Sequence, residues 1–179
     1  EGNFSLTRTK EIAEFVKAFE IKLSQGAKPG KGGVLLGAKV NPEIAAIRGI
    51  PQYEDSISPN RHYDIRNINE LLDKVAYIRE LTGKPVGVKT AIGGWHFMNE
   101  LCETILRRGL DYAPDFLTID GGEGGSGAAP QTLMDHAGLP IAEALPRVVD
   151  SLIESDLKKR IRVIAAGKLV TSAHGAWAL

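Results

Sequence analysis

Apolar residues along the chain follow two alternating rhythms, short β-like runs of five residues and longer windows in which apolar positions recur every three or four residues. The short runs are Glu20-Ile-Lys-Leu-Ser24, Val86-Gly-Val-Lys-Thr90, Phe116-Leu-Thr-Ile-Asp120 and Ile161-Arg-Val-Ile-Ala165, and each gives way to a loop rich in glycine or lysine. The longer windows predict helices. In the first, Ile68, Leu71, Leu72, Val75, Ile78 and Leu81 share one face; Asn67 with Glu70 three positions on reads as a capping box, and Gly83 followed by Pro85 as a stop. Met98, Leu101, Cys102 and Ile105 mark the second. A third is expected from about Ile141 to Lys159, with Leu145, Val148, Val149, Leu152 and Ile153 inward and Lys158-Lys-Arg160 near its negative end. Pro146 lacks an amide proton and is expected in the first turn, so this helix should start near it.

Repeated βα units predict an α/β fold with a parallel sheet, either doubly wound or a (β/α) barrel. Polar residues favour the barrel, whose chemistry gathers at the C-terminal ends of its strands, because Lys22, Gln25, Lys28, Lys89, Asp120 and Lys168 all sit at or just after such ends. A complete barrel takes ~250 residues. The 179 residues here are therefore expected to form part of a (β/α)8 TIM barrel, about four βα units.

Composition narrows the function classes. With 43% hydrophobic and 25% charged residues the chain is expected to fold, and 22 Lys and Arg balanced by 22 Asp and Glu leave no excess to neutralise a nucleic-acid backbone or an acidic membrane. The lone Cys102 cannot make an internal disulfide or a cysteine-rich metal site, and His62, His96, His136 and His174 show no metal-ligand spacing, so no metal is assigned. Apolar runs such as Gly33 to Leu36 fall far short of the ~20 residues of a membrane span. The start, Glu1-Gly-Asn-Phe-Ser5, has no signal-peptide pattern, so a cytoplasmic location is expected, and the sequon at Asn3 reads as chance. The absence of an initial Met and the apolar end Gly175-Ala-Trp-Ala-Leu179 lead to the expectation that residues 1–179 are one partial domain, truncated at both ends.

The candidate chemistry lies in the loops after the strands. Gly122-Glu-Gly-Gly-Ser-Gly127 has the G-x-G-x-x-G spacing of a dinucleotide site, but Pro130 and Gly138-Leu-Pro140 prevent it from opening directly into a helix. It is either a glycine turn or a loop that lets backbone approach a flat cofactor or an anion. Lys22, Gln25 and Lys28, three residues apart among Gly26, Pro29, Gly30, Gly32 and Gly33, either converge on a dicarboxylate or form a solvated loop; Arg48 either adds a bidentate grip or lies on the surface. An inward Lys89 could hold the anion of a reduced flavin, or be an ion-paired lysine. Asp64, Asp120 and Glu123 are candidate polar-site residues, and no general acid is assigned.

Four blocks occur in the order and spacing of a known family: Ile21-Lys-Leu-Ser-Gln-Gly-Ala-Lys-Pro-Gly-Lys-Gly-Gly33, Ile57-Ser-Pro-Asn-Arg-His-Tyr-Asp64, Val86-Gly-Val-Lys89 and Asp120-Gly-Gly-Glu-Gly-Gly-Ser-Gly-Ala-Ala-Pro130. Over about residues 10 to 170 the chain resembles the FMN-binding central domain of glutamate synthase, and more closely the compact proteins that carry this barrel without the large amidotransferase region. The resemblance implies roughly strands four to seven of the barrel. It implies an oxidoreductase in which reduced FMN delivers a hydride to 2-iminoglutarate, formed from 2-oxoglutarate and ammonia, to give L-glutamate. Lys22, Gln25, Lys28 and Arg48 match positions that hold 2-oxoglutarate. Lys89, Asp120, Gly121, Gly122, Gly124, Gly125 and Gly127 match flavin-facing positions, and Gly167 and Lys168 match the strand end near the FMN phosphate.

Departures are informative. Gly122-Glu123 stands where the family has histidine-aspartate, and Ile164-Ala-Ala-Gly-Lys168 replaces an acidic-Gly-Gly-Leu-Lys pattern. The family's 3Fe–4S cysteines lie downstream, and Cys102 matches none of them. Nitrogen is expected from free ammonia, an amine or a glutaminase partner, and electrons from a donor protein or domain. Homo-oligomerisation is left open. The piece alone is expected to be inactive; the alternatives are an N-methylglutamate synthase-like FMN enzyme and a non-catalytic half-barrel that binds phosphate or a partner.

Overall fold

A computed structural model of the chain describes residues 5–125 and 129–179. In chain order the elements are α1 (Leu6–Ala13), β1 (Phe19–Lys22), β2 (Val34–Leu35), α2 (Pro42–Arg48), β3 (Ser56–Ile57), α3 (Ile68–Thr82), β4 (Val86–Thr90), α4 (His96–Arg108), β5 (Phe116–Asp120), α5 (Ile141–Glu154), β6 (Arg162–Ala166) and α6 (Ser172–Ala178), with 3-10 turns at Gly37–Lys39 and Leu110–Tyr112. Strands β1, β4, β5 and β6 pair in that order, all parallel, and β2 pairs with β3 as a small antiparallel hairpin. Within the parallel sheet the order never reverses, so these strands contain no doubly wound switch point.

Alternation along each strand sorts the two faces. Val86, Val88, Leu117 and Ile119 are fully buried against α3, α4 and α5, whose stripes Leu71, Leu72 and Val75, Met98, Leu101 and Ile105, and Ala144, Val148 and Leu152 complete one core. The opposite face carries Glu20, Lys22, Gly87, Lys89, Thr118, Asp120 and Ile164. On that face Thr118 Oγ1 donates to Glu20 Oε2 across β4 at 2.5 Å, and the Phe116 ring lies over Gly87, where a Cβ would sit 2.1 Å from the ring. Glu20, Lys22 and Arg162 on this face are exposed.

β4 and β5 coincide with the predicted runs, whereas β1 begins one residue earlier than expected and stops at Lys22, and β6 is shifted one residue later. α3 starts as its cap predicts: Asn67 Oδ1 accepts from the Glu70 amide at 3.0 Å, but Glu70 reaches back to the Arg66 amide (2.6 Å) rather than to that of Asn67, and Gly83 closes the helix at φ 65°. α5 starts at Ile141, where the apolar window placed it, rather than near Pro146, which therefore lies inside the helix; it ends at Glu154 rather than Lys159, leaving Ile153 exposed and Lys158 to Arg160 beyond it. The reason is tertiary: both carboxylate oxygens of Glu123, on the loop after β5, accept from the Ile141 amide at 3.0 Å and cap the helix from outside. Pro146 is tolerated because the carbonyl it leaves without an amide partner belongs to exposed Ala142.

Below the sheet, at the strand N-termini, Asp115 ties three elements together. Its carboxylate accepts from Arg79 Nε (2.9 Å), Arg160 Nη1 (2.9 Å) and the Val86 amide (2.8 Å). Burial alone would raise its pKa, but the Val86 amide and the two guanidiniums outweigh that and hold it below the ordinary carboxylate value.

Candidate functional site

The chain leaving β1 crosses the C-terminal end of the sheet in three hydrogen-bonded steps. Ser24 Oγ accepts from the Ala91 amide at 2.9 Å and lies 3.1 Å from Thr90 Oγ1, so the loop is first fixed to the end of β4. The Gly26 amide then donates to Asp120 Oδ2 at 2.8 Å, and the Ala27 amide to the Gly124 carbonyl at 3.0 Å, which carries the loop to β5. Glycine is required at 26, because a Cβ there would lie 1.8 Å from the Gly121 carbonyl oxygen. With the loop so placed, Lys22 Nζ donates to Gln25 Oε1 at 2.9 Å. His62 Nε2 lies 2.9 Å from the Lys22 carbonyl oxygen and holds the segment after β3 against the end of β1.

Beside this crossing lies an open cavity of about 510 Å³, within the ~300–1,000 Å³ range of small-molecule sites. The β1 loop contributes Lys22, Gln25 and Lys28, the end of α2 contributes Arg48, and the β2–β3 hairpin contributes Val34, Leu35 and Ser56. Lys31 and Arg61 also line it, and no carboxylate does among the described residues. In a chain whose formal net charge is +0, this is a local concentration of cations, and it favours an anion with more than one negative group. All four residues named for a dicarboxylate are thus brought to one cavity. Ser56, Arg61, His62 and the hairpin were not named from the sequence. Arg61 and His62 fall in the Ile57-Ser-Pro-Asn-Arg-His62 block, which carried the resemblance without assigning them a role, and nothing marked Ser56 or the pairing of the hairpin.

Lys89 stands in register between Lys22 on β1 and Thr118 on β5, with Nζ 3.6 Å from Asp120 Oδ2. Asp120 is therefore shared by the Lys89 ammonium and the Gly26 amide, and it is buried. Neither Lys89 nor Asp120 lines the cavity; both lie beside it, joined to it through Gly26. The glycines after β5 pack backbone on backbone. A Cβ at Gly122 would meet the Gly138 carbonyl oxygen at 2.2 Å, and one at Gly124 would meet Gly167 Cα at 2.8 Å, so Gly121, Gly122, Gly124 and Gly167 draw the ends of β1, β5 and β6 together. Gly125 (φ 75°) faces the cavity wall, where a Cβ would lie 3.3 Å from Gln25 Nε2. Gly167 and Lys168 have φ of 108° and 35°. Gly127 lies outside the described residues.

Two of the candidate polar residues have other partners. Glu123 caps α5, and Asp64 pairs with Lys74 of α3, whose hydrogen bond holds the Asp64 carboxyl below its ordinary pKa. Among the described residues no three His, Cys, Asp or Glu side chains come together to hold a metal ion. Among the described residues no helix is long and apolar enough to cross a membrane. Burial pushes the Cys102 thiol up, away from reactivity.

Comparison with known proteins places this geometry in context. The family described as "Conserved region in glutamate synthase" matches residues 2–179. Glutamate synthase large subunit-like protein YerD of Bacillus subtilis (strain 168) is 42% identical over 173 residues, 95% of this chain and 32% of that protein. The archaeal glutamate synthase [NADPH] of Methanocaldococcus jannaschii is 43% identical over 158 residues, 87% of this chain and 30% of its own length. The ferredoxin-dependent glutamate synthase of Cyanidium caldarium is 34% identical over 172 residues, 95% of this chain and 10% of its own. The chain thus spans about a third of the length of the first two relatives.

Proposed function

The chain belongs to the glutamate synthase family, and from that premise we propose that it supplies the 2-oxoglutarate cavity and part of the flavin site of an FMN-dependent oxidoreductase that reduces 2-iminoglutarate to L-glutamate. The observation that carries this reading is the convergence of Lys22, Gln25, Lys28 and Arg48 on one cavity without a carboxylate in its described wall. A keto diacid carries two negative groups and a polar carbonyl. Charge-assisted hydrogen bonds from lysine and arginine would fix both ends and hold the reacting carbon in one place.

The fold reading follows the same line. Four parallel strands in sequential order, with the helices α3, α4 and α5 on one face and polar side chains on the other, suit a sector of a (β/α)8 barrel, roughly strands four to seven. Residues 1–179 are on this reading one partial barrel domain of a longer enzyme, inactive by itself, and the share of the relatives that it spans supports this.

The residues beside the cavity fit FMN in chemical kind. Lys89 is a half-buried ammonium on the polar face of the sheet, suited to negative charge on the flavin ring, and the Gly167-Lys168 turn offers a backbone of positive φ and a cation suited to phosphate. Bound there, FMN would supply the hydride for the imine carbon. Asp120 has a positioning part: by accepting from the Gly26 amide while lying 3.6 Å from Lys89, it ties the substrate loop to the lysine beside the flavin. A Cβ on Gly125 would lie 3.3 Å from Gln25 Nε2, and this proximity supports two sites side by side. The nitrogen enters from ammonia or a glutaminase partner, and the electrons from a donor protein or domain.

The test is the visible spectrum of the intact protein with and without 2-oxoglutarate. An oxidised-flavin band perturbed by the diacid is expected. A protein that binds no FMN, or a flavin band indifferent to 2-oxoglutarate, overturns the reading.

A further inference from the structure

One side-chain hydrogen bond joins the two ends of the chain segment that carries the cavity. His62 Nε2 lies 2.9 Å from the Lys22 carbonyl oxygen, and since a carbonyl only accepts, Nε2 is the donor. Strand pairing leaves that carbonyl open to it. The Phe19 and Leu23 amides bond to the Pro85 and Lys89 carbonyls, so the backbone groups of Lys22, one position off, face away from β4 toward the edge of the sheet. Between Lys22 and His62 the chain makes an excursion that holds Gln25, Lys28, β2, α2 with Arg48, and β3. Its first residues are tied to the sheet through Gly26 and Ala27. Farther out, the Tyr53 amide donates to the Val40 carbonyl (2.9 Å), the Ser58 amide to the Gly33 carbonyl (2.9 Å) and the Gly37 amide to Asp55 Oδ1 (2.6 Å), so the excursion is built as a unit of its own.

The cavity therefore lies between two bodies. Lys22 stands on the four-stranded sheet, in register with Lys89, whereas Arg48 and the hairpin stand on the excursion. The two are joined where the chain leaves, at the Gly26–Asp120 crossing, and again where it returns. On the return, Asp64 pairs with Lys74 and anchors the chain to α3, while His62 anchors it to the strand that carries Lys22. A ligand gripped by one body does not feel the span between them. A diacid gripped by both does, because its affinity depends on two grips being held at one separation before it arrives. We propose that His62 is a positioning residue: by closing the excursion at its base, on the Lys22 backbone, it sets the separation of the two cationic walls for a five-carbon 2-oxo diacid. This rests on the dicarboxylate reading above.

Calorimetric titration of the intact, flavin-loaded protein separates the two claims. The probes are 2-oxoglutarate and 2-oxopentanoate, which has the same chain length without the second carboxylate. His62→Ala and His62→Asn both remove the bond, the second because its shorter amide falls short of the carbonyl; His62→Gln keeps an N–H donor at the reach of Nε2. In the Ala and Asn variants 2-oxoglutarate is expected to weaken about fivefold, the scale of one neutral hydrogen bond, with 2-oxopentanoate within about twofold of wild type. His62→Gln is expected to restore most of the loss. The role of His62 alone is overturned if the Ala and Asn variants bind 2-oxoglutarate as wild type does, weaken both acids alike or both fail to fold, or if His62→Gln rescues nothing. Wild type that binds no 2-oxoglutarate overturns the dicarboxylate reading and this inference with it.

Discussion

Gly26→Ala tests the crossing that joins the substrate loop to the rest of the site. The new Cβ would stand 1.8 Å from the Gly121 carbonyl oxygen, 2.7 Å from its carbon and 3.3 Å from the Gly124 carbonyl oxygen, all of them backbone. Neither partner is free to yield: the Gly121 amide donates to the Ala166 carbonyl at 2.9 Å and the Gly124 amide to the Gly121 carbonyl at 2.9 Å. Real Cβ contacts essentially never fall below 3.0 Å, so the loops must separate by about 1.2 Å. That movement lengthens the Gly26–Asp120 bond (2.8 Å) and the Ala27–Gly124 bond (3.0 Å) beyond hydrogen-bonding range. Losing one charge-assisted and one neutral hydrogen bond costs about 3 kcal/mol, or a fall in Tm of roughly 9 °C for a chain of this size. Gly33→Ala, in the same loop, is the control: nothing lies within 4 Å of its Cβ, and its Tm should stay within about 2 °C of wild type. The two variants are compared by thermal melting followed by circular dichroism, with 2-oxoglutarate titrations alongside. A Gly26→Ala protein that melts with wild type and keeps its affinity would refute the crossing as the device that holds the loop.

Two further outcomes follow from the scaffold. Asp115→Asn removes the charge that Arg79 and Arg160 share while keeping an acceptor for the Val86 amide, and should cost about 2 kcal/mol at pH 7 by urea denaturation. Because the folded-state pKa of Asp115 lies below its unfolded value of ~3.9, the advantage of wild type is complete above that pH and shrinks as pH falls through the folded value; a gap that widens on acidification contradicts the assignment. Pro146→Ala restores an amide donor to the exposed Ala142 carbonyl inside α5 and should raise Tm by roughly 3 °C, about 1 kcal/mol; a lower Tm would mean that the proline is held by something other than the cap at Glu123.

What could be read without coordinates was whatever a single element decides for itself. β4 and β5 lie where their alternation and their Gly and Pro boundaries put them, and α3 runs from its Asn67 cap to the glycine that ends it, because these signals act within a few residues. The grouping of Lys22, Gln25 and Lys28 was visible for the same reason: three positions of one loop. Short elements were not legible. β2 and β3 are two residues each, too brief for any period to register, yet their hairpin makes one wall of the cavity.

The place of Pro146 inside α5 was hidden too, since the helix is capped by Glu123, 18 positions upstream, which overrides the local proline signal. The site itself is a tertiary product. Asp120 meets the Gly26 amide 94 positions away, the crossing depends on two glycines touching, and Arg48 and Ser56 reach the cavity from a helix end and a hairpin. The chain's residues thus determined on their own which segments become strands and helices and which loop carries the cations, because backbone geometry enforces a period locally. Which loops meet, and therefore which cations share a cavity, was decided only when parallel pairing set β1, β4 and β5 in register and close packing brought their ends together.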